Sequence, residues 1–293
     1  MDADSVSFSG RILFLAAQSG IVARQLAGED LTLAAAGALR EGVSTDEITP
    51  SRFCFYADAR LGNYVYLGLK CGEVFPFTEG SVKRGGFSVS IAGKRYGKGS
   101  SREHSPYAER AAGVRLVIAE SFERIYRHNC INLGIYTSTD FGLIERIRAG
   151  EAIPLAELAH GHDAITAAII RAGGLASLTR ERLRGNAAVP PPGHGSRAMT
   201  LAEKLIARSV VTDPDAENVG VTGVRPGDGV FVRTHWRYSH EYLTPMAATI
   251  FEQAFGADAR VRDPGSVLAF QEHLAFPRWS ASQPGRGGAL IDA

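Results

Sequence analysis

The densest group of polar side chains lies between Gly97 and Pro106, a stretch that reads Gly-Lys-Gly-Ser-Ser-Arg-Glu-His-Ser-Pro. Its glycines allow the backbone to approach a ligand closely or to adopt positive φ angles. Its hydroxyls and the guanidinium fork of Arg102 suit a carboxylate or a phosphate. A helix that starts directly afterwards would add backbone amides and the positive end of its dipole. The stretch therefore predicts an anion site. A helix N-cap at Ser105 is the alternative, but it leaves the preceding residues unexplained.

Alternating strands and helices surround this stretch and must position it. Alternation that puts Phe87, Val89 and Ile91 on one face predicts a strand at Phe87–Ala92 before it, and the sequence after it predicts a helix at Pro106–Ala112 and a buried strand at Val114–Ala119. This order of elements predicts an α/β protein. The other predicted strands are Arg11–Ala16, Tyr64–Leu69, Gly229–Thr234, Asp258–Arg262 and Val267–Phe270, and the other predicted helices are Phe122–Asn129, Leu143–Ala149, Leu201–Val211 and Thr244–Phe255.

The 293 residues of the chain are enough for two domains. A proline- and glycine-rich segment, Ala188–Ser196, interrupts the pattern of predicted strands and helices. Three consecutive prolines favour an extended conformation, so we interpret the segment as a linker, with a rigid loop inside one domain as the alternative. The predicted organisation is a domain at 1–185, a linker at 186–198, a second domain at 199–277 and a disordered tail at 278–293, which has no clear hydrophobic period.

Composition and charge exclude several classes of protein. The 32 basic and 31 acidic residues give a net charge of +1, which argues against a nucleic-acid surface over the whole chain. No apolar run approaches the ~20 residues of a membrane span, and the first residues lack the features of a signal peptide. We therefore expect a cytoplasmic protein without membrane contact. The glycine spacing also fits neither a P-loop nor a dinucleotide fingerprint.

The polar stretch and the residues after it closely resemble the swivel domain of the aconitase and isopropylmalate dehydratase superfamily. The shared pattern continues through Gly113–Phe122 and Ile125–Asn132, and Val43–Pro50 looks like the opening loop of that domain. This resemblance covers about residues 10–145. Four later segments resemble the beginning of the superfamily's large, cluster-bearing part: Met199–Arg208, Val224–Val232, Ser239–Ala247 and Phe270–His273. The resemblance implies a swivel-type domain followed by an incomplete α/β domain of the large-subunit type.

This resemblance implies a hydro-lyase, a dehydratase or isomerase that acts on a hydroxy di- or tricarboxylate such as isopropylmalate, citrate or a methylated malate. A proton leaves a carbon beside a carboxylate, so the charge that develops there must be stabilised. By matching positions, Ser100 would be the alkoxide base, while Ser101 and Arg102 would bind a substrate carboxylate. A serine alkoxide requires positive charge and N–H donors nearby, which Arg102 and the helix end could supply. A simple turn is the alternative for Ser100.

Other residues of the matching segments have supporting roles. Asp46 could orient the site loop or could only shape a turn. We interpret His104 as a supporting hydrogen-bonding group. Arg84 could provide a second carboxylate clamp, with a solvated surface charge as the alternative.

The second domain contributes the remaining candidates. By the resemblance, His240 and His273 would help to manage the leaving hydroxyl. Glu272 stands where the superfamily typically has aspartate, and its extra methylene would alter the orientation of His273. Because the predicted second domain is incomplete, it should expose apolar side chains. The candidates for such exposure are Leu201, Leu205, Ile250 and Phe251.

The cysteines depart from the superfamily's pattern. The resemblance implies a [4Fe–4S] cluster, one iron of which is the Lewis acid for the leaving hydroxide. Cys54, Cys71 and Cys130 match none of the three cluster cysteines, and their spacing indicates neither a metal site nor a disulfide framework. We expect this chain to bind no cofactor, to be inactive alone and to need a cluster-bearing large subunit or further domains. A non-catalytic remnant that binds carboxylates is the alternative, and RNA binding is the least favoured.

Overall fold

The computed structural model describes residues 4–99, 103–188, 194–213, 218–241 and 243–270. The chain packs as two units, Met1–Phe231 and Val232–Ala293. The boundary therefore follows Phe231 and does not lie at the predicted linker, 186–198. Packing explains the difference, because the Phe231 ring lies against the core of the first unit and 4.1 Å below the guanidinium of Arg182. The predicted tail, 278–293, lies outside the described residues.

The first unit contains most of the regular structure. Its strands are β1 (Ser5–Val6), β2 (Arg11–Phe14), β3 (Phe87–Ala92), β4 (Leu116–Ala119), β5 (Tyr136–Ser138), β6 (Ile153–Pro154), β7 (Val211–Asp213) and β8 (Asn218–Val219). Its helices are α1 (Ser19–Leu26), α2 (Leu33–Ala36), α3 (Thr45–Ile48), α4 (Ser81–Arg84), α5 (His104–Ala112), α6 (Arg124–Leu133), α7 (Leu143–Arg148), α8 (Leu155–Leu158), α9 (Ala164–Ala172), α10 (Leu175–Leu183) and α11 (Leu201–Ser209). The second unit has β9 (Arg237–His240), α12 (Leu243–Phe255) and β10 (Val267–Phe270).

A four-stranded parallel sheet, in the order β2-β3-β4-β5, forms the centre of the first unit. Every residue of β3 and β4 is buried. The apolar sequence of β4 is typical of a strand covered on both faces, whereas β3 also buries Ser88 and Ser90. Helices α5 and α6 connect the parallel strands, which confirms the predicted α/β class. Two short antiparallel pairs, β1–β6 and β7–β8, accompany the sheet.

The carboxyl edge of this sheet gathers the loops that matter for function. The chain leaves β3 at Ala92 and reaches Gly97, while the chain that leaves β4 at Ala119 reaches Phe122. A bridge between Tyr96 and Phe122 joins the two loops. Ligands of open parallel sheets bind outside this edge. The fold therefore positions the stretch that begins at Gly97 where a binding site is expected.

Three predicted strands are wrong. Tyr64–Leu69 forms turns, in which the buried Tyr66 has a φ of +64° and its amide donates to the Ile48 carbonyl. Gly229–Thr234 makes no strand, because Phe231 turns its ring onto the first unit's core instead of entering a sheet. Asp258–Arg262 begins with a turn in which Ala259 donates to Gly256. In each segment, local packing overrides the apolar pattern.

Exposure of apolar side chains agrees in part with the prediction. Leu201 and Leu205 are exposed on α11, at 72% and 57%, although both belong to the first unit. Ile250 and Phe251 are half-buried. Among the described residues, no helix is both long and apolar enough to cross a membrane.

Candidate functional site

The loop after β3 is fastened to the segment that precedes α3. The amides of Gly97 and Lys98 donate to the carbonyl of Val43 over 2.8 and 3.1 Å, and the amide of Thr45 donates back to the carbonyl of Lys98 over 2.8 Å. These parallel-bridge bonds hold the loop against α3. The two segments that sequence analysis singled out, 43–50 and 97–106, are therefore neighbours in the structure.

Both glycines of this loop are required by its geometry. Gly97 and Gly99 have φ angles of +81° and +103°, which side-chain-bearing residues rarely adopt. A Cβ on Gly97 would lie 2.1 Å from Cγ of Tyr126, inside the ring's van der Waals radius. A Cβ on Gly99 would lie 3.4 Å from the hydroxyl of Thr45. The backbone of the loop thus lies directly on a tyrosine ring and on the first residue of α3.

Helix α5 begins immediately after the loop. It starts at His104, two residues before the predicted start at Pro106, and its N-cap residue is Glu103. Ser105 is therefore not the cap: it is buried in the first turn, and its hydroxyl donates to the carbonyl of Thr45 over 2.9 Å. Burial raises the pKa of Glu103. The positive end of the helix dipole consequently lies at the end of the loop.

Five of the predicted site residues lie outside the described residues: Ser100, Ser101, Arg102, Glu272 and His273. Their assigned roles stay predictions. The residues on both sides of the first three are described, with Gly99 against Thr45 and Glu103 at the start of α5.

Asp46, on α3, borders a cleft, and its role at the loop stays a prediction. It is exposed on α3, a helix whose capping box joins Ser44 and Glu47. The carboxylate of Glu47 also accepts from the guanidinium of Arg40 over 2.6 Å, which fixes the helix further. The cleft has a volume of about 730 Å³, and its walls are formed by Asp46, Pro50, Ser51, Arg52, Leu67, Gly68, Phe75 and Phe77. A carboxylate, a guanidinium and aromatic rings thus share one open surface.

His104 and Arg84 lie at different ends of the sheet. His104 is buried in the first turn of α5, next to the loop. Arg84 precedes β3, is exposed, and donates to the carbonyl of Glu79 over 2.9 Å. Because β3 spans about 20 Å, Arg84 lies at the amino edge and the loop at the carboxyl edge. Arg84 therefore lies away from the loop, and of its two interpretations the surface charge fits its exposure better.

His240 belongs to the second unit, at the carboxyl end of β9. Its ring is half-buried, and its carbonyl accepts from the hydroxyl of Thr244 over 2.9 Å. Strand β9 pairs in parallel with β10, in which Phe270 stands opposite His240. This pairing brings His240, in the matched segment 239–247, opposite Phe270, the first residue of the matched segment 270–273.

A buried carboxylate beneath the loop was missed by sequence analysis. Glu109, on α5, has no solvent exposure, and its Oε1 accepts from the hydroxyls of Tyr66 and Tyr96, each over 2.7 Å. Its Oε2 accepts from the hydroxyl of Tyr126. The signal was present, because Glu109 shares a helix face with the buried Ser105 and Ala112 at spacings of four and three residues.

Burial dominates the electrostatics of this tyrosine cluster. It raises the pKa of Glu109, although the three phenol donors act in the opposite direction. The pKa values of the three tyrosines are well above their usual range, because of burial first and of the nearby Glu109 charge. Burial likewise raises the pKa of the Cys130 thiol beside Tyr126. Burial therefore disfavours the charged forms of these groups, and in Glu109 the three phenol donors oppose that effect.

The cysteines do not fit a metal cluster. Cys54, Cys71 and Cys130 are all buried and free. Among the described residues, no group of three His, Cys, Asp or Glu side chains could hold a metal ion. A cluster ligand is a thiolate, whereas the pKa values of Cys71 and Cys130 are raised by burial. We therefore derive no chemical step from a cluster bound by this chain.

Comparisons with known proteins converge on one superfamily. The family model described as the aconitase C-terminal domain matches residues 73–139. The 3-isopropylmalate dehydratase small subunit of Desulfovibrio desulfuricans is 34% identical over 158 residues, which cover 49% of this chain and 92% of that protein. The small subunit of the same name from Halothermothrix orenii is 39% identical over 114 residues, which cover 39% of this chain and 65% of that protein.

Two further comparisons involve Methanocaldococcus jannaschii. Its isopropylmalate/citramalate isomerase small subunit is 37% identical over 112 residues, which cover 38% of this chain and 62% of that protein. The crystal structure of a 3-isopropylmalate dehydratase from this organism is 25% identical, covers 49% of this chain and 90% of that chain, and superposes with a TM-score of 0.36. The chain thus spans about two thirds of some of these relatives and about nine tenths of others.

Proposed function

We propose a function from one premise: the chain belongs to the aconitase and 3-isopropylmalate dehydratase superfamily. Its function would be that of a small-subunit-type component of a hydro-lyase, acting on a hydroxy di- or tricarboxylate. Relatives named as isopropylmalate dehydratase and isopropylmalate/citramalate isomerase small subunits favour a substituted malate over citrate. The first unit would be the swivel-type domain, and the second would correspond to the beginning of a large-subunit-type domain.

The observation that carries this proposal is the position of the loop's two ends. Gly99 packs on the first residue of α3, and Glu103 is the N-cap residue of α5 at the carboxyl edge of the parallel sheet. The three residues between them are Ser-Ser-Arg. In this position Arg102 and Ser101 would bind a substrate carboxylate, with the helix end adding favourable charge.

The chemistry that follows is the removal of water across a carbon–carbon bond. Ser100, as an alkoxide, would take the proton from the carbon beside the bound carboxylate, and the electron pair left there would form the double bond as the β-hydroxyl leaves. The guanidinium of Arg102 and the helix end would stabilise both the alkoxide and the charge that develops on the carboxylate. Asp46 and His104 would orient the loop from its two sides.

The partner in this proposal is a cluster-bearing large subunit, or further domains that carry the same kind of cluster. The [4Fe–4S] cluster would belong to that partner, so this chain would be inactive alone. His240, His273 and Glu272 would contribute near the leaving hydroxyl once the full site is assembled. The assembly would act in the cytoplasm.

Mixing the chain with a partner tests the proposal. An iron-reconstituted large subunit of an isopropylmalate dehydratase is combined with this chain, and hydration of a substituted maleate is followed by loss of the double-bond absorbance. We expect turnover with the unmodified chain and a loss of at least ~1,000-fold with Ser100→Ala, because the base is gone. Arg102→Lys should raise KM, since lysine lacks the planar fork.

The matched control is Arg84→Lys, which makes the same change at the opposite edge of the sheet and should leave KM unchanged. Full activity of Ser100→Ala would contradict the assigned base. Absence of turnover with every cluster-bearing partner would contradict the proposal that the chain is a component of an enzyme. In that case, calorimetric binding of citrate or isopropylmalate would identify the alternative, a carboxylate-binding module without turnover.

A further inference from the structure

We propose that Glu109 is a positioning residue for the described start of the site loop, Gly97–Gly99, and that it acts through the three tyrosines that donate to its carboxylate. The inference rests on the proposed function, because the loop is the one that carries Ser100, Ser101 and Arg102. It adds a residue outside the polar stretch whose side chain faces the core and not the substrate.

Each tyrosine connects Glu109 to a different structural element near the loop. Tyr96 directly precedes Gly97, so its ring anchors the start of the loop. Tyr126, on α6, forms the surface on which Gly97 lies. Tyr66 donates its amide to Ile48, the last residue of α3, and its hydroxyl lies 2.9 Å from the hydroxyl of Ser90 on β3. One carboxylate thus joins the residue that precedes the loop, helix α6 and the turn that is bonded to α3.

Packing alone does not require a carboxylate at this position. Within the described part of the chain, Glu109 makes no salt bridge, and burial of its charge is costly. A leucine of similar size would fill the space without that cost. What leucine cannot do is accept hydrogen bonds, whereas two carboxylate oxygens accept from three donors at once. The presence of glutamate at this position therefore indicates that its carboxylate holds the three phenol groups in a fixed arrangement.

Loss of this geometry should act on the loop. Without that acceptor, the hydroxyl of Tyr126 loses its carboxylate partner, and that of Tyr96 is left to the hydroxyl of Tyr66, 3.1 Å away. The ring of Tyr126 contacts Gly97, and Tyr96 directly precedes it. A displacement of about 1 Å at reacting groups can cost about 100-fold in rate. Alignment of a base with a carbon–hydrogen bond depends more steeply on distance than binding of a carboxylate does. The loss should therefore be mainly in kcat rather than in KM.

The experiment compares Glu109→Leu with Glu109→Gln in the mixed enzyme. We expect Glu109→Leu to lower kcat/KM by about 100-fold, mostly through kcat. Glu109→Gln keeps an oxygen that can accept from Tyr66 and Tyr96, and its amide can donate to the oxygen of Tyr126. It should therefore restore activity to within about threefold. Tyr96→Phe, which keeps the ring and removes one donor, should cost about tenfold and serves if Glu109→Leu does not fold.

Leu178→Ala is the control for stability alone. Leu178 is buried on α10, in the main core and outside the tyrosine cluster. This variant should lower the melting temperature and leave kcat and KM unchanged at a temperature where the protein is folded. If Leu178→Ala lowers kcat as Glu109→Leu does, the role of Glu109 is structural and the proposal is overturned.

Hydrogen exchange gives a readout that does not depend on activity. In the isolated chain, Glu109→Leu should increase exchange in peptides that cover 97–105, and Glu109→Gln and Leu178→Ala should not. If no partner gives turnover, the proposed function fails, while this exchange pattern still supports the coupling of Glu109 to the loop. Unchanged exchange at 97–105 in both Glu109→Leu and Tyr96→Phe would overturn it.

Discussion

Two sets of parallel strands in this chain differ in their exposure to solvent. In the first unit, all residues of β3 and β4 are buried. In the second unit, β10 pairs with β9 over four residues in parallel register, yet each residue of β10 is exposed and β9 is at most half-buried. The backbone pairing is of the same kind in both places. The difference therefore lies in what covers the strands.

This contrast shows that parallel pairing does not by itself make a core. Parallel sheets are ordinarily covered on both faces, and each buried Val, Leu or Ile contributes about 1.5–3 kcal/mol. The first unit supplies that cover with helices such as α5 and α6, and it can hold a loop rigidly at its edge. The second unit buries Met246 and Ser266 among its described residues, and exposes Trp236, Tyr238 and Phe270. Function that needs precise geometry is therefore expected at the first sheet.

Hydrogen exchange of the two strand sets should give the largest difference. Amides of β3 and β4 should exchange only through global unfolding, whereas those of β9 and β10 should exchange through local opening. We expect protection to differ by at least about three orders of magnitude, or ~4 kcal/mol. Mass spectrometry of peptides from the intact chain measures it. Equal protection would show that β9 and β10 are covered in solution, and the contrast would disappear.

Truncation of one side chain in each set of strands should show the contrast as a difference in the free energy of unfolding. Ile91, on β3, has no solvent exposure, and Leu268, on β10, is 40% exposed. Ile91→Ala should lower the free energy of unfolding by about 2–5 kcal/mol, because it leaves a cavity. Leu268→Ala should cost less than about 1 kcal/mol. Urea unfolding followed by circular dichroism measures both, and a larger loss from Leu268→Ala would reverse the assignment of the ordered core.

The first sheet was also the part that sequence could predict. Phe87–Ala92 alternates apolar residues with serines, and Val114–Ala119 is apolar except for Arg115; each coincides with or contains a buried strand. The polar stretch that starts at Gly97 was identified by its residue types, and its position at the carboxyl edge follows from the strand before it.

The remainder depended on contacts distant in sequence. The strand predicted at Tyr64–Leu69 is a turn because Tyr66 bonds to Ile48 and Glu109. The position of Arg84 has a similar cause, since its edge of the sheet depends on the direction and length of β3. Glu109 itself looks like an ordinary helical glutamate until the three tyrosines are brought around it.

The titration of Glu109 should distinguish the first unit from the second. Burial raises the pKa of Glu109 above its ordinary value of 4.5. Between the two pKa values, the folded chain binds a proton that the unfolded chain has released. Protonation of Glu109 therefore stabilises the folded chain. This stabilisation is complete below about pH 4.5 and is lost as the pH rises through the pKa that Glu109 has in the folded chain. The slope is at most ~1.4 kcal/mol per pH unit.

Glu109→Gln should remove that slope. The free energy of unfolding is measured by urea titration at a series of pH values for both proteins, and their difference isolates Glu109 from the other carboxyl groups. For the second unit, the described residues include no buried carboxyl group, so its unfolding should show no such difference. Parallel pH curves for the two proteins would mean that Glu109 is already ionised in the folded chain across this range.

The smallest expected effect is at the most exposed aromatic ring of β9. Tyr238 is 80% exposed, and threonine keeps a high preference for strands, so Tyr238→Thr should change the stability of the second unit by less than about 0.5 kcal/mol. Met246, buried on α12, provides the scale, because Met246→Ala should cost about 2–5 kcal/mol in the same urea titration. A cost of Tyr238→Thr close to that of Met246→Ala would mean that the ring is covered in solution. Repeating the titration at tenfold higher protein concentration would then separate cover by a second copy, which depends on concentration, from cover within the chain, which does not.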